Sequence, residues 1–226
     1  MPYRQTEKVV RKLAARHDAI LAAVCDAAAE GGMAAVQMAP VAERAGIAAG
    51  TVYRYFPSKA DLVAALATAL AEREMIALKA AANAAPGPLS ALAAAITTFA
   101  ARALAKRRLA FALIAEPVEP EVDAARACYR QALAAEFETL IRTAAAGGHL
   151  PSQDAALAAA ALVGALIEGL IGPLAPAAAA DAVKARAQVQ MLTLFALRGL
   201  GVVDARARGL VVQAVVPEAS SAAPRT

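Results

Sequence analysis

Val41-Ala42-Glu43-Arg44-Ala45-Gly46-Ile47-Ala48-Ala49-Gly50-Thr51-Val52-Tyr53-Arg54-Tyr55-Phe56-Pro57-Ser58-Lys59-Ala60-Asp61-Leu62 reads as two short helices around a turn, followed by the start of a long one. Pro40 suits a first helical turn and Gly46 the left-handed residue just past a helix end, which predicts a helix over 39–45. Gly46-Ile47-Ala48 is then a tight turn, and a further helix covers 49–56 until Pro57 ends it. Two short helices joined by three or four residues containing Gly form a helix-turn-helix unit, whose second helix fits the DNA major groove. Small Ala42 and Ala45 permit close approach, while Ile47, Val52 and Phe56 supply the apolar contacts between the two helices.

What faces outward follows from the period. At 100° per residue, with Val52 and Phe56 turned in, Gly50 and Arg54 fall near the opposite face and Thr51 and Tyr53 flank it. Gly50 leaves backbone open near a helix start, where amides attract phosphate. Thr51 offers a methyl and a hydroxyl, and Arg54 can pair with guanine or with phosphate. The hydroxyls of Tyr53 and Tyr55 suit phosphate oxygens. Lys59 opens the next helix, where its ammonium and the helix dipole favour the same anion.

Working outward, Leu13, Ile20, Leu21, Val24 and Ala28 give the apolar face of a first helix that begins near Arg11 and stops at Gly31-Gly32. On the other side Ser58 is an N-cap with Asp61 in the capping-box place, and the fourth helix continues to about Asn83. Ala85-Pro86-Gly87-Pro88 is a linker. Beyond it, helices are expected at 89–105, 107–115, 120–146, 153–171 and 177–200. The tail from Gly201 carries Val202, Val203, Leu210, Val211, Val212, Val215 and Val216, so part of it can pack, with disorder expected after about 217. The predicted organisation is all-α: a three-helix head over 1–57, a larger helical body over 58–200, and the tail over 201–226.

Composition agrees and excludes other classes. Ala dominates, only 4% of residues are aromatic and Trp is absent, so a sheet-rich fold is not expected. A hydrophobic fraction of 60% raises the question of a membrane span in the run from Ala155 to Ala180. Glu168, Pro173 and Pro176 interrupt that run before the roughly 20 apolar residues a bilayer requires, and no signal peptide is recognised, so the expectation is a cytoplasmic protein with no membrane partner. Positive charge gathers near the N-terminus at Arg4, Lys8, Arg11, Lys12 and Arg16, with Glu7 the only acid among them. Cys25 and Cys128 belong to no metal or redox spacing, and His17 and His149 lack ligand-spaced partners, so neither metal nor cofactor is expected. No nucleophile elbow, phosphate-binding Gly loop or Cys/His pair is present, which argues against an enzyme.

The stretch from Val41 to Leu62, extended back through Ile20-Leu21-Ala22-Ala23-Val24 and Gly32, resembles the DNA-binding signature of the TetR family over about residues 15–65. That resemblance implies phosphate contacts from Tyr53, Tyr55 and Lys59 and base contacts from Ala49, Gly50, Thr51 and Arg54. It further implies double-stranded operator DNA as partner, a ligand cavity among the fourth to eighth helices, and a homodimer made through the last two long helices. Three positions depart from the family pattern: Gln37 replaces a Thr or Ser at the entrance to the second helix, Ala48 replaces a capping Ser, and Ala27 to Ala29 replace an aromatic late in the first helix.

Within the body, Phe111 and Tyr129 are aromatic candidates for effector contact. Glu168 is a third, because a carboxylate in an Ala, Leu and Ile helix must be paired, exposed or neutralised; Ala160, Gly164 and Gly172 share its stripe. The Glu116-Pro117-Val118-Glu119-Pro120-Glu121 run reads as a solvated acidic connection. The expected function is a transcription regulator, a repressor released from DNA by a small-molecule effector. The alternative is an effector-independent DNA-binding protein controlled by a protein partner, and an effector-sized cavity separates the two.

Overall fold

The computed structural model describes residues 7–116, 120–177 and 181–214. Arg4, most of the acidic run after Glu116, and the tail beyond 214, including the disorder expected after about 217, lie outside these residues. Among the described residues there are ten α-helices, one 3₁₀ turn and no strand. Helix α1 is Glu7–Gly31, and a 3₁₀ turn at Met33–Ala35 leads to α2, Met38–Arg44. Then come α3, Ala49–Tyr55; α4, Lys59–Asn83; α5, Pro88–Ala105; α6, Arg107–Ile114; α7, Pro120–Ala146; α8, Ala155–Leu170; α9, Ala182–Gly199; and α10, Asp204–Gln213.

The local signals act as their chemistry requires. Gly46 has φ +66°, and past α2 the Ile47 amide donates back to the Ala42 carbonyl at 3.0 Å, closing the turn. At the start of α4 the Ser58 hydroxyl accepts from the Asp61 amide at 3.1 Å while the Asp61 carboxylate accepts from the Ser58 amide at 3.0 Å, a complete capping box. Asp154 caps α8 and Asp181 caps α9, so α9 starts later than the expected 177. Ala48, with extended dihedrals and no polar side chain, leaves α3 without a side-chain cap. Gln37 likewise does not cap α2; its amide donates to the Ala34 carbonyl instead.

Two apolar cores organise the chain. The first gathers Ile20, Val24 and Ala28 of α1, Val41 and Ala42 of α2, Val52 of α3 and Phe56. It does not stop at Phe56, because Leu62, Val63 and Leu66 of α4 and Leu109 and Ala112 of α6 complete it. Three helices of this length cannot enclose a core alone, and the first turns of α4 together with α6 supply the missing wall. The absent aromatic late in α1 is matched by close packing: Ala28 is fully buried, and α1 lies against α6.

The second core centres on α5. Leu92, Ala95 and Ile96 there meet Leu133, Phe137 and Ile141 of α7, Leu166 of α8 and Leu197 of α9, all fully buried. Helix α5 is long and apolar enough to cross a bilayer, but most of it is inside this core. Its one deep polar contact is satisfied: the Thr193 hydroxyl donates to the Val189 carbonyl at 2.9 Å, so the Thr97 hydroxyl, 3.3 Å away, is the donor between the two threonines. Past Gly201 the chain forms α10, a helix not foreseen, because Ala207, Leu210 and Val211 at helical spacing pack onto α5 and α9. Helix α4, about 37 Å long at 1.5 Å per residue, belongs to both cores, through Leu62 to Leu66 at one end and Leu78 and Ala82 at the other.

Restoring a hydroxyl at the uncapped start of α3 is a direct test of this architecture. Ala48→Ser is expected to stabilise the protein by about 0.5–2 kcal/mol, read as a higher urea midpoint at unchanged slope. An unchanged midpoint would mean that the first amides of α3 gain nothing from a side-chain acceptor.

Candidate nucleic-acid interface and ligand cavity

The turn after α2 sets α3 across the head with Val52 wholly inward and Phe56 buried beneath it. Its other face is open. Ala49, Gly50, Tyr53 and Arg54 are exposed, and Thr51 is half-buried beside them. Arg54 makes no ion pair among the described residues, so its guanidinium is available to an outside anion or base edge. Lys59 occupies the first turn of α4, immediately after Ser58, and is half-buried. Six of the seven expected contact residues therefore lie on or at the margin of one surface.

Tyr55 is placed differently. Its ring is half-buried, tilted against Phe56 and His17 with centroids 6.5 Å from each, and its hydroxyl donates a long hydrogen bond, 3.4 Å, to the Leu13 carbonyl. Tyr55 thus fastens α3 to α1, a packing role that its neighbour Tyr53, 52% exposed, does not share. A second fastening was not legible from spacing: Arg44 of α2 grips Glu30 of α1 with two bonds of 2.6 and 2.7 Å. The Arg44 hydrogen bond holds the Glu30 carboxyl below the usual carboxylate range. That contribution is present above the ordinary range and fades as pH falls through the lowered value.

Behind the head lies a cavity of about 310 Å³ between α1, α4, α5, α6 and α7. Its apolar wall includes Leu70, Phe99, Leu109, Leu113 and Ile114. Its polar wall carries Arg73, Glu74, Arg102, Lys106, Arg126, Tyr129 and Cys25. Arg102 and Glu74 form a two-point ion pair at 2.6 and 2.8 Å, and this hydrogen bonding raises the Arg102 pKa. Burial pushes the Tyr129 phenol up, Glu74 adds to that shift and Arg102 opposes it. Burial also pushes the Cys25 thiol up, with Lys106 pulling it down, Asp26 raising it and Arg73 lowering it.

Arg126 is the most enclosed of these cations, at 4% exposure. Its terminal nitrogens donate to the carbonyls of Glu116 and Ala112, and Arg130 donates to the carbonyl of Ile114, so two guanidinium groups satisfy the C-terminal carbonyls of α6. The Arg126 Nε–H has no acceptor among the described residues. Burial lowers the Arg126 pKa, with Asp123 and Glu116 opposing the shift. Glu116 in turn reaches the head: its carboxylate accepts from the Met33 amide at 3.0 Å. Gly32 beside it has φ +73°, and a Cβ there would lie 2.5 Å from Arg108 Nη2 and 2.7 Å from Glu116 Oε2. Only glycine lets these two side chains close over the end of α1.

Of the three effector candidates, Tyr129 lines this cavity, while Phe111 and Glu168 do not. Phe111 lies half-buried on α6, one residue before the fully buried Ala112. Glu168 folds back over Gly172, where its carboxylate accepts from the Leu174 amide at 2.9 Å, and so closes the turn after α8. The signal that drew attention to Glu168, a lone charge in an apolar helix, applies equally to Arg102 in α5 and would have found the Glu74–Arg102 pair. The role of Arg126 carries no such signal, because it depends on where α6 ends. No group of three or more metal-ligating side chains occurs among the described residues.

A glycine-turned pair of short helices on a three-helix head, borne by a helical body that contains a partly open cavity, defines a helix-turn-helix protein. Residues 20–66 match the family model for bacterial regulatory proteins, tetR family. Over 53 residues the chain is 58% identical to the HTH-type transcriptional repressor KstR of Rhodococcus jostii (strain RHA1), a match covering 23% of this chain and 25% of that protein. The chain thus spans about a quarter of the length of the curated relative it matches. The whole fold is shared with solved structures: the fatty acid degradation regulator FadR from Bacillus halodurans, TM-score 0.72 at 22% identity over 83% of this chain and 97% of that one, and RolR in complex with resorcinol, TM-score 0.66 at 23% identity over 93% and 100%.

The two thiols report on the cavity wall. With iodoacetamide near neutral pH, exposed Cys128 is expected to be labelled several-fold faster than Cys25, whose burial both hides it and disfavours the thiolate. Peptide mass spectrometry over a time course reads both rates, and faster labelling at Cys25 would contradict the enclosed wall.

Proposed function

We propose that this protein is a transcriptional repressor that binds operator DNA as a homodimer in the cytoplasm and is released by a small-molecule effector. The observation that carries the reading is the open face of α3, where Gly50, Thr51, Tyr53 and Arg54 stand clear of the protein with Lys59 beside them. Arg54 is the reader, because a guanidinium matches the two acceptors of guanine in the major groove. Lys59, Tyr53 and the open backbone at Gly50 hold phosphate, with Ala49 and Thr51 offering methyl contacts to bases. The cavity supports effector control over control by a protein partner, being of the size that small ligands occupy. RolR, which shares this fold, is a protein seen with resorcinol bound, and that likeness supports a small-molecule ligand here.

Dimerisation is supported by the outer face of α8 and α9. Val183, Ala187, Met191 and Phe195 recur every four residues along α9 and are all exposed; Leu157, Ala161 and Gly164 line the exposed side of α8. Exposures of 67% at Met191 and 62% at Phe195 make an apolar surface that a second copy would cover. Two heads related by a two-fold axis then require an inverted repeat, with half-sites about one helical turn or more apart.

Selection from random DNA should enrich such a repeat. On it, Arg54→Ala is expected to weaken binding by roughly 1–3 kcal/mol and to relax preference at one base pair per half-site. Lys59→Ala should weaken every sequence about equally and reduce the salt slope by about one counterion per protomer. Titrations at several salt concentrations distinguish the two, and equal loss on all sequences for Arg54→Ala would reassign it to the DNA backbone.

In sedimentation at micromolar concentration the protein is expected to run as a dimer, and Met191→Glu with Phe195→Glu to convert it to a folded monomer. A monomeric wild type would remove the two-fold reading.

A further inference from the structure

We propose that the cavity behind the head takes an apolar molecule bearing one carboxylate, and that the carboxylate is received by Arg126. The inference rests on the effector-controlled reading and adds the chemical class of the effector. Four cations, Arg73, Arg102, Lys106 and Arg126, line the cavity against the single carboxylate of Glu74. Glu74 is spent on Arg102, which it binds at two points, so the remaining cations face the cavity without it. Arg73 and Lys106 are exposed and are served by water. Arg126 is not: it is 4% exposed, makes no ion pair within 4 Å among the described residues, and keeps a buried Nε–H with no acceptor.

Asp123 and Glu116 act on this buried cation only at a distance, while its hydrogen bonds among the described residues go to neutral carbonyls, so an anion brought beside it gains a direct Coulomb attraction and can supply the missing hydrogen bond. The Tyr129 hydroxyl, in the same wall, keeps its proton because burial disfavours the phenolate, and so is a second donor for the anion. The rest of the lining is Leu70, Phe99, Leu109, Leu113, Ile114 and several alanines, which suits a hydrocarbon or aromatic skeleton and no second charge. At about 310 Å³ the space lies at the lower end of ligand cavities, of about 300–1,000 Å³.

The test uses matched probes that differ in the one group: octanoate with 1-octanol, and 4-phenylbutyrate with 4-phenylbutanol. Calorimetric titration of the full-length protein without DNA is expected to show each acid binding about tenfold or more tighter than its alcohol, the gain a charge-assisted hydrogen bond provides. Arg126→Gln should erase that preference while leaving the alcohols unchanged. Acids binding no better than alcohols, including no binding by either, overturns the proposal, and so does a preference that survives Arg126→Gln. Should Arg126→Gln not fold, the Arg126 Nε–H resonance of the wild-type protein takes its place: it is expected to shift with octanoate and not with octanol, and an unmoved resonance overturns the assignment. Operator binding is measured separately by fluorescence anisotropy, so a protein that binds DNA but shows no acid preference fails this proposal alone. One that prefers acids but selects no DNA sequence fails the regulatory reading alone.

Discussion

The carboxylate of Glu116 accepts the Met33 amide at the end of α1, while the carbonyl of the same residue accepts from buried Arg126. One residue at the end of α6 therefore holds both the head and the cavity wall. Helix α6 is short, and its last carbonyls would otherwise point unsatisfied into a junction between two cores. Arg126 and Arg130, both from α7, satisfy them and fix where α6 stops. Because α6 also contributes Leu109 and Ala112 to the head's core, its position sets how the head sits on the body.

That arrangement gives a physical route between the two halves without requiring a long-range wire. The cavity is walled by α1, α4, α5, α6 and α7, and of these α1, α4 and α6 also build the core beneath α2 and α3. A molecule that changed the spacing of α6 and α7 at Arg126 would, on the proposed effector-controlled reading, act on the bond to Met33 two contacts away. Helix α4 crosses from one core to the other without a break, so a displacement of its far end would carry Leu62 to Leu66 with it. Coupling of this kind needs two preferred packings, not a gradual strain, because close-packed interiors resist continuous deformation.

The head also shows how a site is kept open by what is fastened around it. Tyr55 to Leu13 and Arg44 to Glu30 secure α3 and α2 to α1. With those contacts made on the inner side, Tyr53 and Arg54 are left outward on a helix too short to be stable alone. Two tyrosines two residues apart consequently do different work, Tyr55 in packing and Tyr53 at the surface. At about 100° per residue they fall on nearly opposite sides of the helix axis.

Read alone, the sequence was sufficient for the local events. Gly46 after α2, Pro57 after α3, the Ser58 and Asp61 pair at α4 and the apolar period of each long helix are short-range signals, whose physics acts within a turn of helix. They yielded the all-α architecture and most of the outward face of α3. The long-range facts had no such signature. That α10 packs, that the head's core borrows α4 and α6, that Glu168 closes its own turn while Arg102 and Glu74 meet across 28 residues, and that Arg126 is buried against the end of α6 all depend on which surfaces come together. Burial and pairing are properties of the assembled packing, so only the tertiary structure could decide which charges face solvent, which face each other and which face the cavity.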